Sequence, residues 1–278
     1  MAKVWFITGV SSGFGAELAK AAIDKGDNVA ATFRKAEQAE AFSKQYGDKG
    51  LGVVLDVTAE AQIKTAVQQA VQRFNRIDVL VNNAGYGTVG AIEEFTMDEI
   101  RAQLETNVFG AIAVTKEVLP LMRKQGNGYI IQISSQAGIR AAGGFGVYNT
   151  SKFALEGFSE ALAQEVAPFG VTVVIVQPGP FRTQFAGNSI KKAAAHLPEY
   201  EDTIVGQMQQ YIEKANGTQE GDPVKGAQAI VAYVHDGKKN LRLPLGKTPI
   251  AAIRAKLKQV EEDVKANEAI AVSTVFGN

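Results

Sequence analysis

Tyr148 and Lys152 are the residues whose types and spacing best fit proton-transfer chemistry. They lie four positions apart in a segment, 148–167, whose apolar residues recur at helical spacing, so both side chains are expected on one helix face. At roughly 4 Å and an effective dielectric of about 20, the ammonium favours the phenolate by about 4 kcal/mol, or up to ~3 pKa units before desolvation is subtracted. A lowered pKa would suit Tyr148 to general acid or base catalysis. The alternative is an aromatic side chain packed beside a solvated lysine.

The residues upstream of this pair favour the catalytic interpretation. Ser135 ends an apolar, strand-like run thirteen residues before Tyr148, and Asn107 lies in a segment that otherwise reads as an amphipathic helix. With Tyr148 and Lys152, these residues resemble the catalytic set of the short-chain dehydrogenase/reductase family. The resemblance implies that Ser135 orients the substrate oxygen, that Lys152 holds the nicotinamide ribose, and that Asn107 helps to hold a water linking Lys152 to solvent. An asparagine that caps a local kink is the alternative for Asn107.

A glycine-rich turn follows the first predicted strand, Val4 to Thr8, and precedes a helical pattern. Glycine tolerates positive φ and close backbone approach, while free N–H groups at a helix start attract pyrophosphate. A tight turn before a well-packed helix is the alternative. The spacing Gly-x-x-x-Gly-x-Gly after Thr8 resembles the dinucleotide site of the same family. The candidate cofactor residues in this turn are Gly9, Ser11, Ser12, Gly13, Phe14 and Gly15.

The end of the second predicted strand, Asn28 to Phe33, indicates which dinucleotide is bound. NAD-binding proteins of this architecture place a carboxylate there for the adenosine ribose, whereas this chain has Thr32, Phe33 and Arg34. A guanidinium pairs well with a 2′-phosphate. We therefore expect NADP(H) in preference to NAD(H), the alternative being a solvated charge at a strand end.

Further cofactor contacts are implied by the family resemblance. Asn82-Asn83-Ala84-Gly85 follows the fourth predicted strand, at the edge where open α/β sheets bind ligands. Asp56 and Val57 are expected against the adenine, and the loop after the strand 171–176 is expected along the nicotinamide. The remaining candidates are Asp56, Val57, Asn83, Ala84, Gly85, Pro178, Gly179, Phe181 and Thr183, together with Tyr148 and Lys152.

Strand and helix patterns alternate along the whole chain without an internal repeat or a dividing linker. This order predicts an α/β fold, a single Rossmann-type domain with a doubly wound parallel sheet of about seven strands and helices on both faces. Helices are expected over 96–119 and 250–265. The connection 184–221 has weak periodicity, with an apolar stripe that includes Met208, and it is expected to be a substrate lid, core packing or a subunit contact.

Composition excludes several other classes of function. The 278 residues carry 29 basic and 29 acidic side chains, which predicts no nucleic-acid or anionic-membrane partner. The absence of cysteine excludes disulfides and thiolate metal sites, and two isolated histidines give no metal-ligand spacing. The chain has no apolar run long enough for a membrane span or a secretory signal, so a soluble cytoplasmic protein is expected.

These observations together predict a reductase that converts a small hydrophobic ketone or aldehyde to the alcohol, reversibly. The expected substrate pocket is largely apolar. A 3-oxoacyl thioester reductase that docks an acidic carrier on Arg182, Lys191 and Lys192 is an alternative, as is a non-catalytic NADP(H)-sensing regulator. By resemblance we expect a homodimer or homotetramer paired through the helices that start at Thr96 and Tyr148. The pocket candidates are Gln136, Ala142, Phe145, Val147, Phe185 and Met208.

Overall fold

Short runs of β-branched and aromatic residues alternate with longer amphipathic segments, and the structure folds them into strands and helices in turn. The structure is a computed structural model that describes residues 2–277, with the side chains of residues 186 and 188 outside that description. The strands are β1 Val4–Ile7, β2 Asn28–Phe33, β3 Gly50–Val54, β4 Val79–Asn82, β5 Gly87–Val89, β6 Gly128–Ile133, β7 Val171–Pro178, β8 Ile190–Lys192 and β9 Arg242–Leu245. The helices are α1 Gly13–Asp24, α2 Ala36–Tyr46, α3 Glu60–Phe74, α4 Met97–Leu104, α5 Gly110–Gln125, α6 Gly146–Val166, α7 Phe185–Asn188, α8 Ile204–Ala215, α9 Pro223–His235 and α10 Lys247–Val272.

The main sheet is parallel throughout, and over residues 2–277 it contains seven strands in the order β3-β2-β1-β4-β6-β7-β9. The chain winds outward from β1 to β3 and then returns to β4 on the other side of β1. The crevice between β1 and β4 is therefore the switch point where open α/β sheets bind ligands at the carboxyl ends of their strands. The predicted doubly wound fold is confirmed.

Alternation along β1 divides the core between the two faces of the sheet. Trp5 and Ile7 pack into one apolar cluster with α1 and α9, while Phe6 packs into the other with α3 and α5. All three side chains have no exposed surface. A strand buried on both faces reads as a continuous apolar run, which is the pattern of Val4 to Ile7. The helices that pack on both faces therefore hold the carboxyl edge of the sheet in place.

The helix predicted over 96–119 is interrupted by a π-helical turn at Glu105–Phe109. The Gly110 N–H donates to the carbonyl of Glu105, one residue further back than in an α-helix. Gly110 also packs directly on Val57, since a Cβ atom there would lie 2.7 Å from Val57 Cγ2. Such π-turns are frequent at functional sites. Within this turn lies Asn107, whose side chain is 2% exposed.

The connection 184–221 is more ordered than its sequence predicts. It contains α7, the short strand β8 and the helix α8. β8 pairs in parallel with β5, so that Gly87 lies opposite Ile190. Both strands have three residues, too few to leave a periodic signal, and sequence reasoning missed them. The small sheet holds the connection against the main domain near α6.

The closing helix α10 extends at both ends beyond the predicted range 250–265. It begins after Gly246, whose φ of 103° lies in the region that favours glycine. Within residues 2–277, none of the helices combines the length and the apolar composition needed to span a bilayer. In the same part of the chain, no cluster of three or more His, Cys, Asp or Glu side chains has the arrangement of a metal site.

Candidate active site

The glycine-rich turn between β1 and α1 is braced by the loop that follows β4. Thr8 Oγ1 accepts hydrogen bonds from the backbone N–H groups of Asn83 and Ala84, both at 3.0 Å. The Asn83 amide Nδ2 donates to the carbonyls of Thr8 and Gly9, both at 2.9 Å. The two candidate cofactor loops therefore form one hydrogen-bonded unit at the carboxyl edge of the sheet.

Two glycines of this turn have a steric reason to be glycine. Gly9 has a φ of 70°, and a Cβ atom there would lie 2.9 Å from Cα of Ala84. A Cβ atom at Gly15 would lie 2.5 Å from both the Asn83 amide nitrogen and the Gly9 carbonyl oxygen. Any larger side chain at either position would separate the turn from the Asn83 loop.

The open side of the turn fits the phosphates of a dinucleotide. Ser11 and Ser12 are exposed, and the Ser12 side chain makes no capping hydrogen bond, so the first N–H groups of α1 face outward uncapped. Helix N-termini of this kind attract phosphate. Arg34, exposed at the end of β2, makes no ion pair with any residue in the described range 2–277. Val10 N–H donates to Thr32 O at 2.9 Å, which places the end of β2 beside the turn.

Tyr148, Lys152 and Ser135 meet where α6 passes the end of β6. Tyr148 is 6% exposed, and the Ser135 side chain lies near enough to its phenol to lower the pKa of that group. Lys152 Nζ lies 5.9 Å from the centre of the Tyr148 ring and donates to the Ile133 carbonyl at 2.7 Å. Ser135 Oγ also accepts from the Ala137 N–H at 3.1 Å, which fixes its rotamer at the start of a 3-10 turn. Three groups able to bind or move a proton are thus held within one buried cluster.

Asn107 is linked to this cluster through a chain of hydrogen bonds. Its Nδ2 donates to Ser151 Oγ at 3.1 Å and to the Tyr86 carbonyl at 2.9 Å, while its Oδ1 accepts from the Tyr86 N–H at 3.1 Å. Ser151 in turn donates to the carbonyl of Tyr148 at 2.8 Å. The π-turn therefore fastens the loop after β4 to the first turns of α6.

Aromatic and aliphatic side chains cover the phenol of Tyr148. The rings of Phe145 and Phe185 lie with their centres 5.8 and 5.6 Å from that of Tyr148. From α8, Met208 packs on Gly144, where a Cβ atom would lie 3.0 Å from Met208 Cβ. The segment 184–221 thus contributes part of the apolar wall around Tyr148.

The match to a family model decides the classification. Residues 3–194 match the model described as short chain dehydrogenase, a range that contains strands β1 to β8 and therefore every strand of the main sheet except β9. The chain belongs to the short-chain dehydrogenase family. One relative, oxidoreductase BOA17 of Botryotinia fuckeliana, is 40% identical over 88% of this chain and 89% of its own length. Another, 3-ketodihydrosphingosine reductase of Bacteroides thetaiotaomicron, is 41% identical over 76% of each chain.

Solved structures agree with this classification. A short-chain dehydrogenase from Streptomyces avermitilis superimposes with a TM-score of 0.91 at 39% identity, covering 99% of this chain and 100% of its own. Two more distant structures share the fold, at 21% and 23% identity, and were solved with NAD and 5-hydroxy-NADP. This short-chain dehydrogenase is therefore an oxidoreductase that acts on CH–OH or C=O groups, in a family whose members bind nicotinamide cofactors.

The prediction that Lys152 lowers the pKa of Tyr148 is wrong for this structure of the dehydrogenase. Burial raises the pKa of Tyr148 to about 12, and only the neighbouring Ser135 side chain opposes that shift. Burial also lowers the pKa of Lys152 to about 8, and its ammonium is directed to the Ile133 carbonyl instead of the phenol oxygen. Desolvation thus outweighs the Coulomb attraction expected from the four-residue spacing.

Glu156 is a residue beside the dehydrogenase's cluster that sequence reasoning missed. It lies one turn beyond Lys152 on α6, is 4% exposed, and its attraction opposes the fall in the pKa of Lys152. Its carboxylate accepts from Ser134 Oγ at 2.9 Å and from Gln177 Nε2 at 2.8 Å, and Arg242 Nε lies 3.4 Å away. The four-residue step from Lys152 was the only signal available in the sequence.

Replacing Glu156 with glutamine is expected to shift the pH dependence of the dehydrogenase. Losing the negative charge lowers the pKa of Lys152 further below about 8, so Lys152 loses its proton at a lower pH. The decline of reductive kcat/KM on the alkaline side should therefore begin at lower pH in Glu156→Gln. The matched control is Glu160→Gln, an exposed acid on the same helix that also contacts Arg242. Superimposable profiles for Glu156→Gln and the wild type would contradict this role.

Several residues of the dehydrogenase that were predicted to contact cofactor or substrate are packed against other parts of the fold. Val147 is 2% exposed, so its side chain adds no open wall to a pocket. The Phe181 ring packs edge-on against Phe14, with centres 4.9 Å apart, and fills the space above Gly226. Pro178 is buried at the end of β7, where it pairs with Leu245.

The other predicted residues of the dehydrogenase lie nearer the two centres of the site. Thr183 adjoins the glycine turn, since a Cβ atom at Gly13 would lie 3.4 Å from Thr183 Cβ. Gly179 packs on Pro249, and the Ala142 N–H donates to Asn149 Oδ1 at 3.1 Å. The Gln136 Oε1 atom is buried without a hydrogen-bond partner among the described residues. Asp56 is half-buried just after β3, where it accepts hydrogen bonds from Thr58. Val57 packs on Gly110. Gly85 is exposed and lies beside Asn107.

Proposed function

We propose that this protein is an NADPH-dependent reductase that converts a hydrophobic ketone or aldehyde to the alcohol, with the reverse reaction open to it. The observation that carries the proposal is the buried Tyr148 side chain, with the Ser135 side chain near enough to lower the pKa of its phenol and Lys152 Nζ 5.9 Å from the centre of its ring. When bound, NADPH supplies the hydride from C4 of its nicotinamide. The acid, the orienting hydroxyl and the cation belong to the chain.

Each of these side chains has a distinct task in the proposal. Tyr148 donates its phenolic proton to the carbonyl oxygen as that oxygen gains negative charge, and Ser135 holds the same oxygen by a hydrogen bond. Lys152, with a pKa of about 8, is largely cationic at neutral pH, and its ammonium would hold the nicotinamide ribose beside Tyr148. Asn107 and Ser151 position the first turns of α6, on which Tyr148 and Lys152 lie.

The preference for NADPH over NADH rests on the end of β2. Arg34 is exposed there, and the strand ends Thr-Phe-Arg without the carboxylate that would repel a 2′-phosphate. Thr32 is buried and accepts from the Gly9 N–H at 3.2 Å, so Arg34 lies close to the turn that would hold the pyrophosphate. A guanidinium in that place forms charge-assisted hydrogen bonds with a phosphate.

The substrate class follows from the surroundings of Tyr148. Phe145, Phe185 and Met208 offer apolar contacts on the side that the segment 184–221 covers. The relative named 3-ketodihydrosphingosine reductase, 41% identical, supports a ketone that carries a long apolar chain. A panel of long-chain 3-ketones, short ketones and aromatic ketones, with NADPH consumption followed at 340 nm, would test the proposal. Equal kcat/KM for short and long ketones would contradict the apolar pocket.

Reduction of a carrier-bound 3-oxoacyl thioester is less favoured by the contacts of the expected docking patch. Lys192 is paired with Glu213 at 2.6 Å, and Arg182 Nε donates to the Gln219 carbonyl at 2.7 Å. Lys191 lies over the Tyr86 ring, 4.6 Å from its centre. All three basic side chains thus already contact other residues of this chain. Turnover of a carrier-bound thioester faster than a free ketone would reverse this preference.

The segment 184–221 is proposed to be a lid over the substrate. Replacing Phe185 by alanine removes the ring beside Tyr148 and is expected to raise KM for a long-chain ketone by about tenfold, the equivalent of ~1.4 kcal/mol. NADPH affinity should stay unchanged, since the Phe185 ring packs against Tyr148 and Gly87. The matched control is Tyr211→Ala, an aromatic residue of α8 that is 53% exposed. An unchanged KM in Phe185→Ala would argue against the lid.

A further inference from the structure

The C-terminal helix α10 leaves the domain after its first turns. Pro249 and Ala252 are buried against the fold, but every described residue from 257 to 277 is exposed. At 1.5 Å per residue, a helix of 26 residues is about 39 Å long, and more than half of it projects into solvent. Helical stability usually depends on packing an apolar face, which this projecting part does not do within the chain.

An apolar stripe runs along α10 at the spacing of a coiled coil. Its members alternate steps of three and four residues, which are the a and d positions of a heptad repeat. Leu257, Val260 and Val264 are 57, 43 and 59% exposed, large values for aliphatic side chains on one helix face. The full stripe is Ile250, Ile253, Leu257, Val260 and Val264, followed at the next position by Asn267.

The charges beside the stripe change sign along the helix. Arg254 and Lys256, at the e and g positions, flank its first half, whereas Glu261 and Asp263 flank its second half. Arg254, Lys256 and Asp263 take part in no ion pair within residues 2–277, while Glu261 contacts Lys265 of the same helix at 3.1 Å. Because one half of the stripe is flanked by basic residues and the other half by acidic residues, two copies of the helix have complementary charges when they run in opposite directions.

We propose that α10 pairs with α10 of a second copy of this chain as an antiparallel coiled coil. Antiparallel packing places Leu257 against Val260 of the second copy and Ile253 against its Val264. The same register brings Arg254 to the second copy's Glu261 and Lys256 to its Asp263, and symmetry repeats both attractive pairs.

The charges favour this orientation over the parallel one. In a parallel pair, Lys256 would again face Glu261, but Asp263 would face Glu268, so an attraction is offset by a repulsion. The acidic residues beside the stripe also disfavour an anionic membrane as the occupant. This interface is separate from the pairing expected through the helices that start at Thr96 and Tyr148.

Substitutions on the stripe test whether it is an interface. Val264→Glu should halve the mass of the full-length protein measured by light scattering after size exclusion, while Gln259→Glu, on another face, should leave the mass unchanged. Reversing Arg254 and Lys256 to glutamate should also halve the mass, and adding Glu261→Lys and Asp263→Lys should restore it. Equal masses for the wild type and Val264→Glu would overturn the proposal. It would also be overturned if the wild type bound vesicles of phosphatidylcholine and phosphatidylglycerol and if Val264→Glu abolished that binding without changing the mass.

Cysteine cross-linking tests the orientation without background, because the chain has no cysteine. In the antiparallel register Ile250 lies opposite Asn267 of the second copy, whereas the two Asn267 side chains are about 25 Å apart along the axis. A mixture of Ile250→Cys and Asn267→Cys proteins should therefore form a disulfide-linked dimer on mild oxidation. Asn267→Cys alone should remain uncross-linked. Cross-linking of Asn267→Cys with itself, and failure of the mixture, would overturn the antiparallel arrangement.

Discussion

Tyr148→Phe is expected to lower kcat for ketone reduction by about 10³-fold while NADPH still binds. General acid catalysis contributes about 10²–10⁴-fold, and phenylalanine keeps the ring between Phe145 and Phe185 while removing the proton donor. The measurement is steady-state NADPH consumption together with cofactor affinity from the change in NADPH fluorescence. Because only the hydroxyl is lost, the fold and the cofactor turn should be unaffected.

A matched control separates this effect from the loss of any phenol. Tyr46→Phe removes a hydroxyl at the end of α2, where the ring packs on Phe42 with centres 4.7 Å apart. Its kcat should equal that of the wild type. A Tyr148→Phe protein that retains more than about a tenth of wild-type kcat would exclude Tyr148 as the principal acid.

Arg34→Asp is expected to reverse the cofactor preference. The change removes a guanidinium that would bind the 2′-phosphate and installs a carboxylate that would accept from a ribose 2′-hydroxyl. Hydrogen bonds to charged groups contribute about 1.5–3 kcal/mol, so KM for NADPH should rise by roughly 10- to 150-fold while KM for NADH falls. The measurement is kcat/KM for each cofactor at a fixed, saturating ketone concentration.

The control for Arg34→Asp carries the same change of charge elsewhere on the surface. Lys44 is exposed in the last turn of α2, so Lys44→Asp should leave the ratio of the two cofactors unchanged. A ratio that is equally insensitive to Arg34→Asp would show that specificity for the 2′-position lies outside the end of β2.

The features that sequence predicted best depend on local signals. The strand Asn28–Phe33 has the predicted bounds, because a short, largely apolar run that includes Val29, Thr32 and Phe33 ends at charged Arg34 and Lys35. The turn was recognisable from the spacing of its glycines. That spacing is required because the backbone at Gly9 and Gly15 leaves no room for a side chain against the loop after β4. The helix carrying Tyr148 and Lys152 was predicted from its apolar spacing and begins two residues earlier, at Gly146.

The features that sequence did not predict depend on contacts between distant segments. The π-turn at Glu105–Phe109 accompanies the packing of Gly110 on Val57 and the hydrogen bonds of Asn107 to Tyr86. β5 and β8 pair across about a hundred residues. The pKa values of Tyr148 and Lys152 are set by burial, which the four-residue spacing does not reveal.

The most direct test of the central claim follows a label from the cofactor to the product. Wild-type protein and Tyr148→Phe, each in excess over a long-chain 3-ketone, are mixed with NADPH deuterated at both C4 positions, and the alcohol is analysed by mass spectrometry. We expect a singly deuterated alcohol from the wild type within one turnover, and almost none from Tyr148→Phe over the same time although it binds the cofactor. Formation of the labelled alcohol at equal rates by both proteins would contradict the assignment of Tyr148 as the proton donor.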